Sequence, residues 1–99
     1  MAMAAMNNAE ALMKRNPDFL LRDVAGTLIV VPVGAAVTVF PGMITVNASG
    51  AYLWELLENE QSVESLTDAL LERYDVNRAQ AEEDIRNFLT KLEETGAVI

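Results

Sequence analysis

The hydrophobic periodicity of the chain changes at one point, near residue 47, and this change limits the folds available to it. Before that point, short runs rich in β-branched residues, such as 27–33, lie between Pro and Gly residues, which is typical of strands. After it, apolar residues recur every three or four positions, as at Leu53 and Leu57, which is typical of amphipathic helices. Short strands followed by helices predict an α+β domain.

A hairpin is predicted for the first two strands. Residues 19–24 and 27–33 both have strand-like composition. The link between them, Ala25-Gly26, has the two-residue length of a tight hairpin turn. Pro32 lacks an amide hydrogen, so the end of the second strand should lie at an edge of the sheet or outside its hydrogen-bonded ladder.

A third strand is predicted for residues 43–46, Met-Ile-Thr-Val, after a turn at Pro41-Gly42. The preceding residues 37–40 have the composition of a further strand, but we favour irregular or short extended structure there. One edge of so small a sheet should remain free to pair with another strand. A self-paired or swapped dimer through this open edge is therefore an alternative that the sequence leaves open.

Three helices are predicted in the second half of the chain. The first covers about residues 48–58 after a cap at Asn47 or Ser49, and the second covers 63–74 after Ser62. The third runs from Asn77 to about Thr95 and ends at Gly96. A tight turn joins the last two helices, which gives a helix-turn-helix arrangement.

The N-terminal residues carry the weakest pattern. Residues 1–12 are rich in Ala and Met, and we assign them no function and expect disorder unless a neighbouring molecule holds them. Asn16-Pro17-Asp18 is a loop signal. We therefore divide the chain into a flexible extension, residues 1–16, and one folded domain, residues 17–99.

The composition argues against an enzyme. The chain has no His and no Cys, so it cannot form the Ser–His or Cys–His pairs of nucleophilic catalysis, and it lacks the usual transition-metal ligands. The consecutive carboxylates Glu82, Glu83 and Asp84 point about 100° apart on a helix, so they do not converge on one ion. We predict a protein without catalytic residues, cofactor or metal.

The net negative charge of the chain lies entirely in its helical half. Residues 1–46 have a net charge of zero and residues 47–99 a net charge of −8. A winged-helix DNA-binding or protein-interaction domain is the alternative from another class, but residues 77–95 sum to −2, which repels phosphate. The longest apolar run, residues 28–33, is too short to span a bilayer, and no signal peptide is evident. We expect a cytoplasmic protein that binds neither membrane nor nucleic acid.

Several segments resemble the PqqD family, the small proteins of pyrroloquinoline quinone (PQQ) synthesis and their relatives in clusters for modified peptides. GMITVNASGAYLWELL, residues 42–57, is similar to the family's strand, turn and Trp-containing helix. FLLRDVAGTLIVVPVG is similar to its paired strands, SVESLTDALLERYDV to its second helix and AEEDIRNFLTKLEETGAVI to its third helix and ending. The resemblance covers residues 19–99.

The resemblance implies a truncated winged helix-turn-helix-like domain of three short antiparallel strands followed by three helices. It also implies a non-catalytic peptide chaperone, the recognition element for ribosomally made and modified peptides (RiPPs). Such a protein binds the leader of a precursor peptide by strand addition and presents the peptide to a modifying enzyme, commonly a radical S-adenosylmethionine (SAM) enzyme. The segment from 31 to 44 is longer and more apolar than in the PQQ proteins, so we favour a stand-alone relative that serves another peptide product.

The same resemblance suggests the binding residues. The leader would pair with the third strand, and the third helix would border the groove. The strand residues so implied are Met43, Ile44, Thr45 and Val46. On the helix we favour the flank with Asp84, Asn87, Phe88 and Lys91. The opposite flank of that helix, with Arg78, Glu82 and Arg86, is the alternative. From the residues alone, the third strand equally suits a strand that only closes the core, and Trp54 suits the core while Tyr52 suits a partly exposed position.

Overall fold

The computed structural model of the chain describes residues 11–39 and 42–99. These residues form a three-stranded antiparallel sheet followed by three main helices, which confirms the predicted α+β fold class. The elements are β1 (Phe19–Val24), β2 (Thr27–Pro32), α1 (Ala36–Val39), β3 (Ile44–Val46), α2 (Ala48–Leu56), α3 (Val63–Arg73) and α4 (Arg78–Thr95). The strand order is β1-β2-β3, so β3 occupies one edge of the sheet.

The hairpin between β1 and β2 closes through Ala25 and Gly26, as predicted. Both residues have positive φ angles, 55° and 88°, as the primed two-residue turns require. Asp23 Oδ1 accepts a hydrogen bond of 2.9 Å from the Gly26 amide and holds the turn. Ala25 adopts the left-handed backbone conformation, which strains residues other than Gly, Asn and Asp.

The core lies between one face of the sheet and the three main helices. Its fully buried side chains include Trp54, Leu57, Ile85 and Leu92 from the helices and Val30 from the sheet. Trp54 is 2% exposed, so the interpretation of this residue as a core side chain is confirmed. The remaining core members include Phe19, Ile44, Leu53, Val63, Leu66, Leu70, Ala81 and Leu89.

The segment between β2 and β3 differs from the prediction. Residues 36–39 form one helical turn, so the extended structure favoured for this segment is wrong for Val37 to Val39. The chain turns at Gly34, which has a φ of 60°, and Val37 N–H donates to Gly34 O over 3.2 Å. This turn carries the Ala36 side chain into the core. Phe40 and Pro41, with the turn predicted there, lie outside the described residues.

The segment before β1 is hydrogen-bonded to the link between α2 and α3 and to the C-terminal residues. The amides of Met13, Arg15 and Asn16 donate to the carbonyl oxygens of Gln61, Leu57 and Ala97, each over 2.8 Å. These bonds fix residues 13–16 to the helical half and hold the tail in place. The boundary predicted at residue 16 stays a prediction, and the expectation for residues 1–10 lies outside the described part of the chain.

No helix in the described ranges is both long enough and apolar enough to cross a membrane.

Replacing Ala25 with Asn should raise the free energy of unfolding by about 0.5–1 kcal/mol, because Asn tolerates the left-handed conformation that strains Ala. Urea denaturation of both proteins measures the difference. Ala79→Asn is the matched control. Ala79 is exposed within α4, where Asn is a poorer helix former than Ala, so this variant should be slightly less stable. If Ala25→Asn were no more stable than the unmodified protein, or lost stability as Ala79→Asn does, the turn assignment would be contradicted.

Candidate functional site

A cavity of about 230 Å³ lies between the free edge strand β3 and helix α4. Its lining combines three strand residues, the start of α2 and one face of α4. The lining residues are Ile44, Thr45, Val46, Asn47, Gly50, Asp84, Asn87, Phe88 and Lys91. We call this space the β3–α4 groove.

The structure brings together all but one of the residues that the resemblance implied. Met43 is the exception, because it precedes β3, is 60% exposed and does not line the groove. The opposite flank of α4 faces α3 at Arg78 and not the groove. Arg78 forms an ion pair with Asp68 of α3, and its second pair with Glu82 measures 3.6 Å. The geometry therefore separates the two flanks of α4, one towards β3 and one towards α3.

The hydrogen bonds of β2 fix which residues of β3 have free main-chain groups. Val33 N–H donates to Asp18 O over 2.7 Å, so these residues form a bonded pair across β1 and β2. Bonded and non-bonded pairs alternate in an antiparallel ladder, so Arg22 and Ile29 are also a bonded pair. Ile29 therefore directs its amide and carbonyl towards β1. Thr45, which lies opposite Ile29 on the other side, must direct its own amide and carbonyl outward.

The side chains of β3 alternate between the core and solvent. Ile44 is 5% exposed and belongs to the core, and Val46 is half-buried against it, whereas Thr45 is exposed. The main-chain groups of Ile44 and Val46 point to β2 by the same alternation. β3 therefore closes the core with two side chains and presents one outward donor and acceptor, at Thr45.

The start of α2 shapes one end of the groove. Asn47 caps the helix, and its Oδ1 accepts a hydrogen bond of 2.8 Å from the Gly50 amide. A Cβ atom at Gly50 would lie 3.2 Å from Val46 Cβ and from Asn47 Oδ1, and 3.5 Å from Phe88 Cε1. Glycine thus allows α2, β3 and α4 to approach one another closely.

Asn47 and Gly50 were not among the predicted site residues. The sequence pattern indicated Asn47 as a candidate cap and placed Gly50 inside the first predicted helix. The available signal was the position of Gly50, because a glycine inside a helix often marks a close approach of the backbone to another element.

Helix α4 lines the groove with residues at helical spacing. Asn87 and Phe88 are three and four positions after Asp84, and Lys91 is three positions after Phe88, so the four residues lie on one face beside the buried stripe of the helix. Gln80 Nε2 donates to Asp84 Oδ1 over 2.9 Å. Phe88 is half-buried, while the other three are exposed. In the described part of the chain, Lys91 forms no ion pair within 4.0 Å.

Arg78 of α4, whose pKa is shifted, lies on the side of the helix away from the groove. The hydrogen bond from Arg78 to Asp68 raises the pKa of Arg78 above its usual value, and the nearby charge of Glu82 acts in the same direction. Arg78 therefore stays charged over the whole pH range in which proteins are handled. Its role on this flank is to join α4 to α3, and the groove itself carries one acid and one base.

A larger cavity, about 710 Å³, lies along β1, the other edge strand. Its lining includes Lys14, Leu20, Glu55, Glu58 and Ile99. This larger cavity contains none of the residues that the resemblance implied. We therefore take the smaller β3–α4 groove as the candidate site. Across the described ranges, no group of three or more His, Cys, Asp or Glu residues is placed to hold a metal ion.

The model of the family described as coenzyme PQQ synthesis protein D (PqqD) matches residues 27–98. No curated protein sequence shows significant similarity to the chain. Among solved structures, TbiB1 in complex with the TbiA(beta) leader peptide is similar with a TM-score of 0.66 and 22% identity, over 86% of this chain and 93% of that one. Lasso peptide synthetase B1 complexed with the leader peptide has a TM-score of 0.67 and 20% identity, over 88% and 96%. At these identities the likeness establishes the fold.

Replacing Asn47 with Ala should lower the free energy of unfolding by about 1 kcal/mol, because the start of α2 loses its cap. Chemical denaturation followed by circular dichroism measures the loss. Asn59→Ala is the control, since Asn59 is exposed after the end of α2 and caps no helix in the structure. A loss of similar size in both variants would show that the cap at Asn47 is not what stabilises this junction.

Proposed function

Because this chain belongs to the PqqD family, we propose that it is a non-catalytic chaperone for a ribosomally made precursor peptide. In this proposal, the leader segment of the precursor adds to β3 as a further strand and lies in the β3–α4 groove. The protein then presents the remainder of the precursor to a modifying enzyme, for which a radical SAM enzyme is our first candidate. Both steps take place in the cytoplasm, where the precursor is made.

The observation that carries the proposal is the outward pair of main-chain groups at Thr45. An extended peptide beside an edge strand gains main-chain hydrogen bonds, and neighbouring side-chain pockets select its sequence. At Thr45 the free amide and carbonyl face a groove that α4 already borders. An extended segment placed there would contact both the strand and the helix.

The fold likeness supports the same occupant. TbiB1 and lasso peptide synthetase B1 are each complexed with a leader peptide, and each shares the fold over most of its length. The proposal needs no catalytic group on this chain. The protein would act as a tether. A bound leader keeps the rest of the precursor at a high effective concentration near an enzyme that contacts the chaperone.

The choice of variant for a binding test follows from the burial of β3. Ile44 is a core residue, so a change there would disturb the fold as well as the edge. Thr45 is exposed, and its amide points away from the sheet, which is the one setting in which a strand accepts Pro without losing a ladder bond.

Thr45→Pro should weaken binding of the cognate leader about tenfold, because the variant lacks the outward donor and its ring obstructs an approaching strand. Thr45→Val keeps the amide and favours the strand conformation, so it should bind within about twofold of the unmodified protein. Isothermal titration calorimetry compares the three proteins after circular dichroism shows that they are folded. Equal affinity of the folded Pro and Val variants would refute strand addition at β3.

Titration of isotope-labelled protein with leader peptides from neighbouring short reading frames tests the function itself. We expect the amide signals of Thr45 and of Asp84, Asn87, Phe88 and Lys91 on α4 to shift, because these residues line the groove. Signals of Arg78 and Glu82, which face α3, should stay in place. Shifts confined to residues along β1, or none with any encoded precursor, would contradict the proposed function.

A further inference from the structure

The β3–α4 groove carries two opposite charges, one on each side of an aromatic ring. Asp84 and Lys91 are seven residues apart on α4, with Phe88 between them, and all three line the groove. At the rise of an α-helix, about 1.5 Å per residue, the positions of Asp84 and Lys91 are separated by about 10 Å along the helix axis. Phe88 lies about 6 Å from Asp84 by the same measure.

An added strand that runs along α4 would offer alternate residues at a similar spacing. α4 packs on the face of the sheet to which Ile44 and Val46 point, so only every second residue of an added strand would face the helix. At about 3.3 Å per residue, three such alternate positions lie about 0, 7 and 13 Å along the peptide. The long and flexible side chain of Lys91 can cover the small difference from the helical spacing.

The charge of the rest of the chain makes Lys91 distinctive. The chain has a net charge of −8, and its helical half contains twelve acidic residues and four basic ones. A field of that sign attracts any basic peptide regardless of its sequence. An acidic side chain is favoured only where a local cation meets it, and Lys91 is the cation that lines the groove. Lys91 can therefore fix the register of a bound segment.

We infer that Asp84 and Lys91 read the charge order of the bound peptide. The groove selects an extended segment in which a basic side chain faces Asp84, an apolar side chain two positions away covers Phe88, and an acidic side chain two positions further faces Lys91. This inference rests on the proposed function, since it names the class of segment that the same groove binds. The direction of the peptide relative to β3 determines whether the acid or the base comes first.

The test uses a phage-displayed library of random twelve-residue peptides as the probe. The library is selected against the unmodified protein and against the double variant Asp84→Lys, Lys91→Asp, which keeps the net charge. We expect the first selection to give a basic-x-apolar-x-acidic pattern, or its reverse, and the second to give the opposite charge order. Glu83→Lys with Arg86→Asp is the matched control, because it makes the same two charge changes on exposed residues outside the groove.

Affinity gives the second readout. Lys91→Asp should weaken binding of the selected consensus peptide about three- to tenfold, and replacing the acid of the peptide with Lys should restore most of the loss. Arg86→Asp alters the net charge equally and should change affinity less than twofold. The effect of Lys91→Asp should shrink at high salt, where the exposed charges are screened.

The outcomes distinguish the two proposals. If the charge order of selected peptides is the same for the double variant, while those peptides still shift the Thr45 amide signal, the inference is wrong and the proposed function stands. If selection enriches no peptide, or only peptides that shift residues outside the groove, both the proposed function and the inference are wrong.

Discussion

The arrangement of the whole molecule depends on the change from strand to helix at Asn47. β3 ends at Val46, and the side chain of Asn47 accepts a hydrogen bond of 2.8 Å from the Gly50 amide, so one residue ends the sheet and caps α2. This cap sets the direction in which α2 leaves the sheet. α2 in turn carries Leu53 and Trp54 into the core that the sheet shares with α3 and α4. The groove exists because these elements meet closely at Gly50.

The free edge of the sheet is both a hazard and a binding opportunity. Exposed strand edges invite pairing with any other chain, and proteins limit the risk by keeping them short. β3 has three residues, and Thr45 alone among them has an outward amide and carbonyl. The net charge of −8 also opposes the approach of a second copy. An edge of this kind limits pairing with other chains and leaves one outward donor and acceptor beside α4.

The two flanks of α4 illustrate how far a helical pattern can be interpreted. Asp84 and Arg78 both border the buried stripe of the helix, and periodicity alone treats their two flanks as equivalent. The contact of Arg78 with Asp68 assigns one flank to α3, and the cavity beside Thr45 assigns the other to β3. The resemblance to a family pointed to β3, and the structure has a groove beside this strand. The packing of the helices decided which helix residues lie beside it.

The sequence by itself determined the three strands, the three main helices and the caps of those helices. Caps at Asn47, Ser62, Asn77 and Gly96 were predictable because each cap is a contact between residues within about five positions of one another. Tertiary structure alone decided the helical turn at 36–39, the docking of residues 13–16 on the tail and the outward direction of the Thr45 amide. Each of these depends on packing or strand register between segments far apart in the chain, and local patterns carry no information about such contacts.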